Sequence, residues 1–598
     1  ISPGPADEAR QSLTFNVTGN SNPGLSSRAP TVSPAGDLSY APAASAAGTA
    51  AITLTLTDNG GTANGGVDTS TAQAFTITVI GINDAPSFVV GSNQSVNEDA
   101  GPQSINPWIT VLDDGDPEVV QGLTFIITAN DNPTLFSTAP AVSATGVLSF
   151  TPAPNLFGVA NLSLRLVDNG GTANGGIDTS GIQNFSITVL PVNDPPTATL
   201  KSHTTHSAIE LQIDAASDTG ELLEGASDID DPIGDLSAQV VAGSALPAGA
   251  VATVINASDG SFRYDPPGGY SGAGSFQFQI CDDGVPTAPQ QCSAATTVSF
   301  TITGPELYFI DDSAAAGGDG GLNDPFDSLA DIPGGRGNGD RIYVFSGTYG
   351  SAHTLNADEH LIGQGHSGSS FALLGVVAVV NGTLDATPPP GAAPSIGTTI
   401  SFGGNNGLLR GVAINSGANP GTSAAAVTGI TVLESSVNSG ATAVNFNGTG
   451  ASAAGVTFTS TSSTAGTNGI VLNNLTSAGG TFDFGNGALS GNSGVSFLGS
   501  GTLATVNYAG TMTKSSDGNL VEISGAATGS VTLSGNLNCS SACDGIDVLN
   551  RGAGTITFSG ATKTLNTSTS TAVNLDNNDA AQIHFTGGGL DIDTTSGT

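Results

Sequence analysis

The residues of this chain best suited to chemistry are carboxylates. Asp and Glu number 50 against 11 Lys and Arg, a net charge of −39, and most of the acids are Asp. Asp closes tight turns, and it is also a hard-oxygen ligand for Ca²⁺. The acids cluster, as in Val111-Leu-Asp-Asp-Gly-Asp116 and Asp228-Ile-Asp-Asp231. Ca²⁺ takes six to eight oxygens, so several such clusters would have to converge from different loops. The alternative is that these Asp residues cap turns and face water. No EF-hand loop or Gly-Gly-x-Gly-x-Asp array is present.

Four cysteines form two local pairs, Cys281 with Cys292 and Cys539 with Cys543. Local pairing in a Lys-poor, Asp-rich chain fits disulfides in an oxidising compartment, with free buried thiols as the alternative. His353, His360 and His366 fall in a loop-rich stretch and are read as surface histidines rather than a metal set. Bases are scarce after residue 304: Arg336, Arg341, Arg410, Arg551, Lys514 and Lys563. No Gly-x-Ser-x-Gly elbow, His-Glu-x-x-His or phosphate loop appears, so the chain is expected not to be an enzyme. Nucleic acid and anionic membrane surfaces are poor partners for so few cations. No apolar run is long enough to span a membrane.

The elements that must position these residues are short strands. The chain is Gly-rich, has one Met and one Trp, and lacks long helical patterns. Self-comparison gives a constant offset of 110: Asp58-Asn-Gly-Gly-Thr-Ala-Asn-Gly-Gly66 recurs unchanged as Asp168 to Gly176. Alternating strands flank it, Ile52-Thr-Leu-Thr-Leu56 matching Leu162-Ser-Leu-Arg-Leu166. Asn83-Asp-Ala-Pro86 recurs as Asn193-Asp-Pro-Pro196 and ends each unit. A divergent third copy follows, with Cys281-Asp-Asp-Gly284 the counterpart of Val167-Asp-Asn-Gly170. Units of about 100 residues with some seven alternating strands predict β-sandwiches.

These marks resemble the bacterial cadherin-like, Ig-like tandem repeats of large surface proteins, over residues 1 to about 304. The resemblance implies Ca²⁺ near domain junctions. The implied ligands are Glu98, Asp99, Asp113, Asp114, Asp116, Asn193 and Asp194, with Glu224, Asp228, Asp230, Asp231 and Asp235 in the third copy.

From Leu307-Tyr-Phe-Ile-Asp-Asp through Asp340-Arg-Ile-Tyr-Val-Phe-Ser-Gly-Thr-Tyr349 the chain resembles the opening of bacterial right-handed parallel β-helix domains of the pectin-lyase type. Periodicity supports a solenoid independently. Apolar pairs two apart recur at Val444, Ile470, Val495, Val521, Ile546 and Val573, and again at Val456, Phe482, Val506, Val531, Ile556 and Ile583. A weaker third series is Leu489, Met512, Leu537, Leu565 and Leu590. A step near 25 residues describes about eleven or twelve rungs. Pectin-lyase-like folds often cleave polysaccharides, but lyases of that kind need a base beside Ca²⁺-holding carboxylates and hydrolases need paired acids. Gly365-His-Ser367 faintly resembles one hydrolase element, without its acidic partners.

The expected architecture is therefore all-β, with tandem Ig- or cadherin-like β-sandwiches followed by a right-handed parallel β-helix. Expected boundaries are 1–86, 87–196, 197–304 and 305–598. The expected function is a non-catalytic extracellular or cell-surface protein, whose sandwich stalk presents a rod for adhesion or surface structure. Alternatives are a self-assembling fibre subunit and a polysaccharide-degrading enzyme. Expected partners are a surface carbohydrate or protein ligand, or other copies pairing through open β edges. The first copy has no counterpart of Val96 to Thr110 and the last rung carries no polar cap. Both features are read as a piece of a longer chain or as ends used in assembly.

Overall fold

The architecture is that of a computed structural model describing residues 1–117, 119–215, 221–286, 289–379, 382–417, 421–525 and 529–594. It is all-β apart from short helical turns. The chain divides into two compact units: residues 1–194 with 284–289, and residues 195–283 with 290–598.

The first unit holds two sandwich copies. In the second copy, one sheet runs Thr124–Asn130, Gly158–Val167, Gln183–Leu190 and Gln94–Asn97. The facing sheet runs Phe136–Val142, Leu148–Pro152 and Gln103–Ile105. Alternation puts Leu162, Leu164 and Leu166 inward with Phe185, Ile187 and Val189, all buried in one core. The single tryptophan, Trp108, closes this core edge-on against Phe185 at 4.6 Å and donates its indole N–H to Ser92 O. The first copy repeats the plan with fewer strands: Thr14–Asn20, Gly48–Thr57 and Gln73–Val79 in one sheet, Ser26–Val32 and Leu38–Pro42 in the other. Even a bulge recurs at the same offset, after Val17 and after Ile127.

The second unit opens with the third copy. Lys201–His206, Thr296–Thr303, Gly272–Cys281 and Ser237–Val240 form one sheet. Val251–Asn256, Ser261–Asp265 and Leu211–Ile213 form the other, which Thr383–Leu384 from the solenoid extends. The core is aromatic, with Tyr264 stacked on Phe300 at 3.8 Å.

The solenoid then winds in parallel ladders. A nine-stranded sheet forms one wall, and a 20-stranded sheet forms the other two. One register passes through Val456, Phe482, Val506, Val531, Ile556 and Ile583, as the spacing predicts. In the nine-stranded wall Phe497, not Val495, lies between Ile470 and Val521. In the third series Leu565 pairs with Cys539 and Ile592, while Leu537 pairs with Lys563. Inward residues form one continuous apolar column, and middle residues such as Asn445 face solvent.

Corners are tight. A Cβ on Gly535 would meet Gly510 O at 1.7 Å, and one on Gly560 would meet Gly535 O at 2.1 Å. Glycine is thus required there by the approach of the next rung, not by a positive φ.

Candidate metal centre

Each acidic cluster sits where a strand ends and a loop must turn. In the first unit, Asp113 accepts the Gly115 N–H at 3.1 Å, closing the turn. Asp114 accepts the backbone N–H of Gln121 at 2.8 Å, and Asp116 accepts the Gln121 side-chain amide at 3.0 Å. The same amide donates to Asn83 Oδ1 at 2.6 Å, and Asn83 Nδ2 donates to Asp168 Oδ1 at 2.9 Å. Asn83 belongs to the first Asn-Asp-x-Pro step, so side-chain amides join that step to the acidic loop. Glu98 is buried and accepts the Val192 N–H at 2.8 Å, tying down the strand leading to the second step. Asp99 is exposed, has a φ of +57°, and accepts the Asn155 N–H. Asn193 is buried and donates to Pro289 O at 3.4 Å, and Asp194 is half-buried beside it in sequence.

The second unit brings three carboxylates together. Asp228, Asp231 and Asp282 each place an oxygen within 4.8 Å of the others. Asp228 Oδ1 accepts the N–H groups of Asp230 and Asp231 at 2.8 and 3.1 Å, which fixes the loop. Asp228 Oδ2 and Asp231 Oδ2 are buried and make no hydrogen bond among the described residues. Asp231 is 8 % exposed. Burial, then the charges of Asp283, Asp228, Asp282 and Asp235, hold its carboxyl above the usual range. Oxygens at this spacing fit around one hard cation with metal–oxygen distances of about 2.3–2.6 Å, and a cation there would relieve both the desolvation and the repulsion.

Of the residues proposed for the third copy, Asp228 and Asp231 enter this set. Asp230 contributes its backbone N–H to the same turn. Asp235 is exposed and acts on Asp231 only through charge. Glu224 points elsewhere, its carboxylate 3.7 Å from Lys201 Nζ. Asp282 was not among the proposed ligands. Its signal was the offset itself, since it stands where Asp168 and Asp58 stand in the earlier copies.

Cys281, just before Asp282, is bonded to Cys292, and Cys539 to Cys543. The first disulfide joins Cys281 and Cys292 as antiparallel bridge partners, next in sequence to Asp282.

The solenoid histidines are not surface residues. His353 and His366 are buried and His360 is half-buried. His353 Nε2 lies 3.0 Å from Glu359 Oε1, and Arg336 Nε donates to the same oxygen at 3.0 Å. His366 Nε2 lies 3.0 Å from Ser370 Oγ. Burial, reinforced by the Arg341 charge, pushes His360 down to about 4. His353 and His366 are thus held by polar contacts within the fold, and no group of three histidine or acidic ligands converges in the solenoid among the described residues.

Residues 193–301 match the bacterial Ig domain family. No curated protein matches the chain. Among solved structures, mouse protocadherin-24 EC1-3 is similar at 13% identity, covering 49% of this chain and 91% of that one, with a TM-score of 0.26. Drosophila N-cadherin EC1-4 is similar at 14% identity, covering 51% and 73%, with a TM-score of 0.21. An endo-fucoidan hydrolase of glycoside hydrolase family 107 is similar at 15% identity, covering 48% and 38%, with a TM-score of 0.17. Likenesses this distant carry no argument about function.

Proposed function

We propose that this chain is a non-catalytic extracellular surface protein, in which Ig-like sandwiches carry a β-solenoid that makes adhesive or structural contacts. The observation that carries this reading is the build of the solenoid. A single apolar column runs through it, and two of its outward rows are short polar side chains, Asn447, Asn473, Ser500 and Ser524 in one and Asn507, Thr532 and Thr557 in another. Repeated polar rows on a rigid wall suit many weak contacts to carbohydrate or protein. The disulfides fit an oxidising compartment. No described helix is long and apolar enough to cross a membrane.

In this reading the acidic set Asp228, Asp231 and Asp282 binds Ca²⁺ and stiffens the third copy. The calcium part is tested by melting the chain in EDTA and in rising CaCl₂. Saturation at 100 times Kd stabilises a folded state by about 2.7 kcal/mol, so a rise in melting temperature is expected. An unchanged midpoint up to millimolar Ca²⁺ would remove calcium from the account. The adhesive part is tested by applying labelled chain to bacterial cells and to purified surface polysaccharides. Saturable retention supports it, and no retention on any of them counts against it.

A further inference from the structure

The outer face of the second sandwich copy carries a polar groove of about 490 Å³, a volume within the range of small-ligand sites. It is lined by Asn93, Asn161, Ser163, Asn184 and Ser186, together with Leu162 and Phe185, whose side chains belong to the core. Its walls are Gly158–Val167 and Gln183–Leu190, the two inner strands of the four-stranded sheet. Across them Asn161 lies opposite Ser186, and Ser163 opposite Asn184.

Each amide is anchored at one end and open at the other. Asn161 Nδ2 donates to Asp131 Oδ2 at 2.9 Å, which leaves Asn161 Oδ1 as an acceptor. Asn184 Oδ1 accepts the Ser163 hydroxyl at 2.9 Å, which leaves Asn184 Nδ2 as a donor. Asn93 Oδ1 accepts the Ser186 N–H at 2.9 Å, which leaves Asn93 Nδ2 as a second donor. All three asparagines are exposed. The groove thus offers one fixed acceptor, two fixed donors and the Ser186 hydroxyl.

The other copies show that the fold does not need these amides. At the 110-residue offset Asn161 corresponds to Ala51, Asn184 to Ala74 and Asp131 to Ser21. The inward residues keep their character, Leu162 matching Ile52 and Phe185 matching Phe75. The backbone contact survives as well. Ser21 Oγ accepts the Ala51 N–H at 2.8 Å, where Asp131 Oδ1 accepts that of Asn161 at 2.7 Å. In the third copy the same ladder positions hold Ser275 and Thr297.

We infer that this groove binds a neutral carbohydrate through adjacent hydroxyl groups. Each sugar hydroxyl donates and accepts, which matches an acceptor set among donors. A peptide strand cannot add here, because both walls are inner strands paired on either side. An apolar ligand finds no apolar side chain to cover, since Leu162 and Phe185 are buried. An anionic ligand meets the Asp131 carboxylate beside Asn161 and no cation in the lining. The inference depends neither on calcium nor on contacts made by the solenoid.

The test uses the full chain with maltose, cellobiose and lactose as neutral probes and digalacturonic acid as the anionic comparison. Saturation-transfer NMR should show saturable binding of at least one neutral disaccharide, with a Kd on the order of millimolar. The double variant Asn161→Ala, Asn184→Ala installs the residues of the first copy. It should weaken that binding at least about tenfold with an unchanged melting temperature. Asn93→Ala, at an exposed position outside the strands, should weaken it by about threefold or more. Absence of saturable binding of all three neutral sugars would overturn the inference. So would undiminished binding to the double variant, which would place the sugar elsewhere, such as on the solenoid rows. Tighter binding of digalacturonic acid than of any neutral sugar would also overturn it.

Discussion

At the scale of single residues, the informative groups are charges taken out of water. Asp282 is 1% exposed and faces Asp228 and Asp231. Asp282→Asn keeps the shape and removes one negative ligand, so Ca²⁺ affinity measured by calorimetry should fall at least about tenfold. The exposed Asp235→Asn should change it little. In the solenoid, Lys514 is 1% exposed and donates to Asn492 O and Gly494 O at 2.7 and 2.6 Å. Burial lowers its pKa. Lys514→Ala removes the lysine donor from Gly494 O, leaves Asn492 O with the Ser516 hydroxyl alone, and opens a cavity, and denaturant unfolding should show a loss of about 2–4 kcal/mol. The sequence offered half of this picture. Asp228 and Asp231 stood out because they are neighbours, whereas Asp282 joins them only through folding across some fifty residues. Lys514, Lys563 and Arg551, counted in the sequence only as scarce bases, are all three buried. No local pattern marks a lysine that folds its stem inward to reach carbonyls of the next rung.

At the scale of elements, alternation was the legible signal and register was not. Period two tells which face is buried, and a slip of two residues leaves that face unchanged. Val495 and Phe497 are therefore equivalent to the eye, and only the hydrogen-bonded ladder puts Phe497 in line with Ile470. The third series slipped for a chemical reason, because a disulfide cysteine and a buried lysine occupy stops expected to be apolar. Cys539 faces Leu565, and Lys563 faces Leu537. Inward and outward positions should differ sharply in cost. Phe482→Ala removes a side chain with 0% exposure and should lose about 3–5 kcal/mol, while Asn445→Ala on the outer face should stay within about 0.5 kcal/mol. Gly535→Ala should also destabilise, by about 1–3 kcal/mol, because its methyl group meets a backbone carbonyl that cannot swing away. Urea melts of the three variants check this ordering.

At the scale of the whole molecule, each unit is a carboxylate-rich body with few compensating cations, and stability should answer to pH. Within the second unit, burial pushes Asp265 up to about 7. The Asn323 hydrogen bond opposes this shift, and the charges of Glu210, Asp319 and Asp385 add to it. A carboxyl raised in the folded state favours folding while protonated, so its contribution is lost as pH rises from its unfolded value near 4 through about 7. Glu434 works in the opposite sense. The Arg410 hydrogen bond leads in holding it down to about 2, so its contribution is lost only as pH falls through that value. The melting temperature of the chain in EDTA should therefore be higher at pH 5 than at pH 8, and Asp265→Asn should narrow that gap. The central claim is that the chain makes contacts and does no chemistry. It is tested most directly by incubating the purified chain with a panel of acidic and neutral polysaccharides, with Ca²⁺ present, and following polymer size together with new reducing and unsaturated ends. The account predicts retention of the chain on one or more polymers with their size distribution unchanged. Shortened polymers with new chain ends, lost when the protein is heat-denatured, would contradict it.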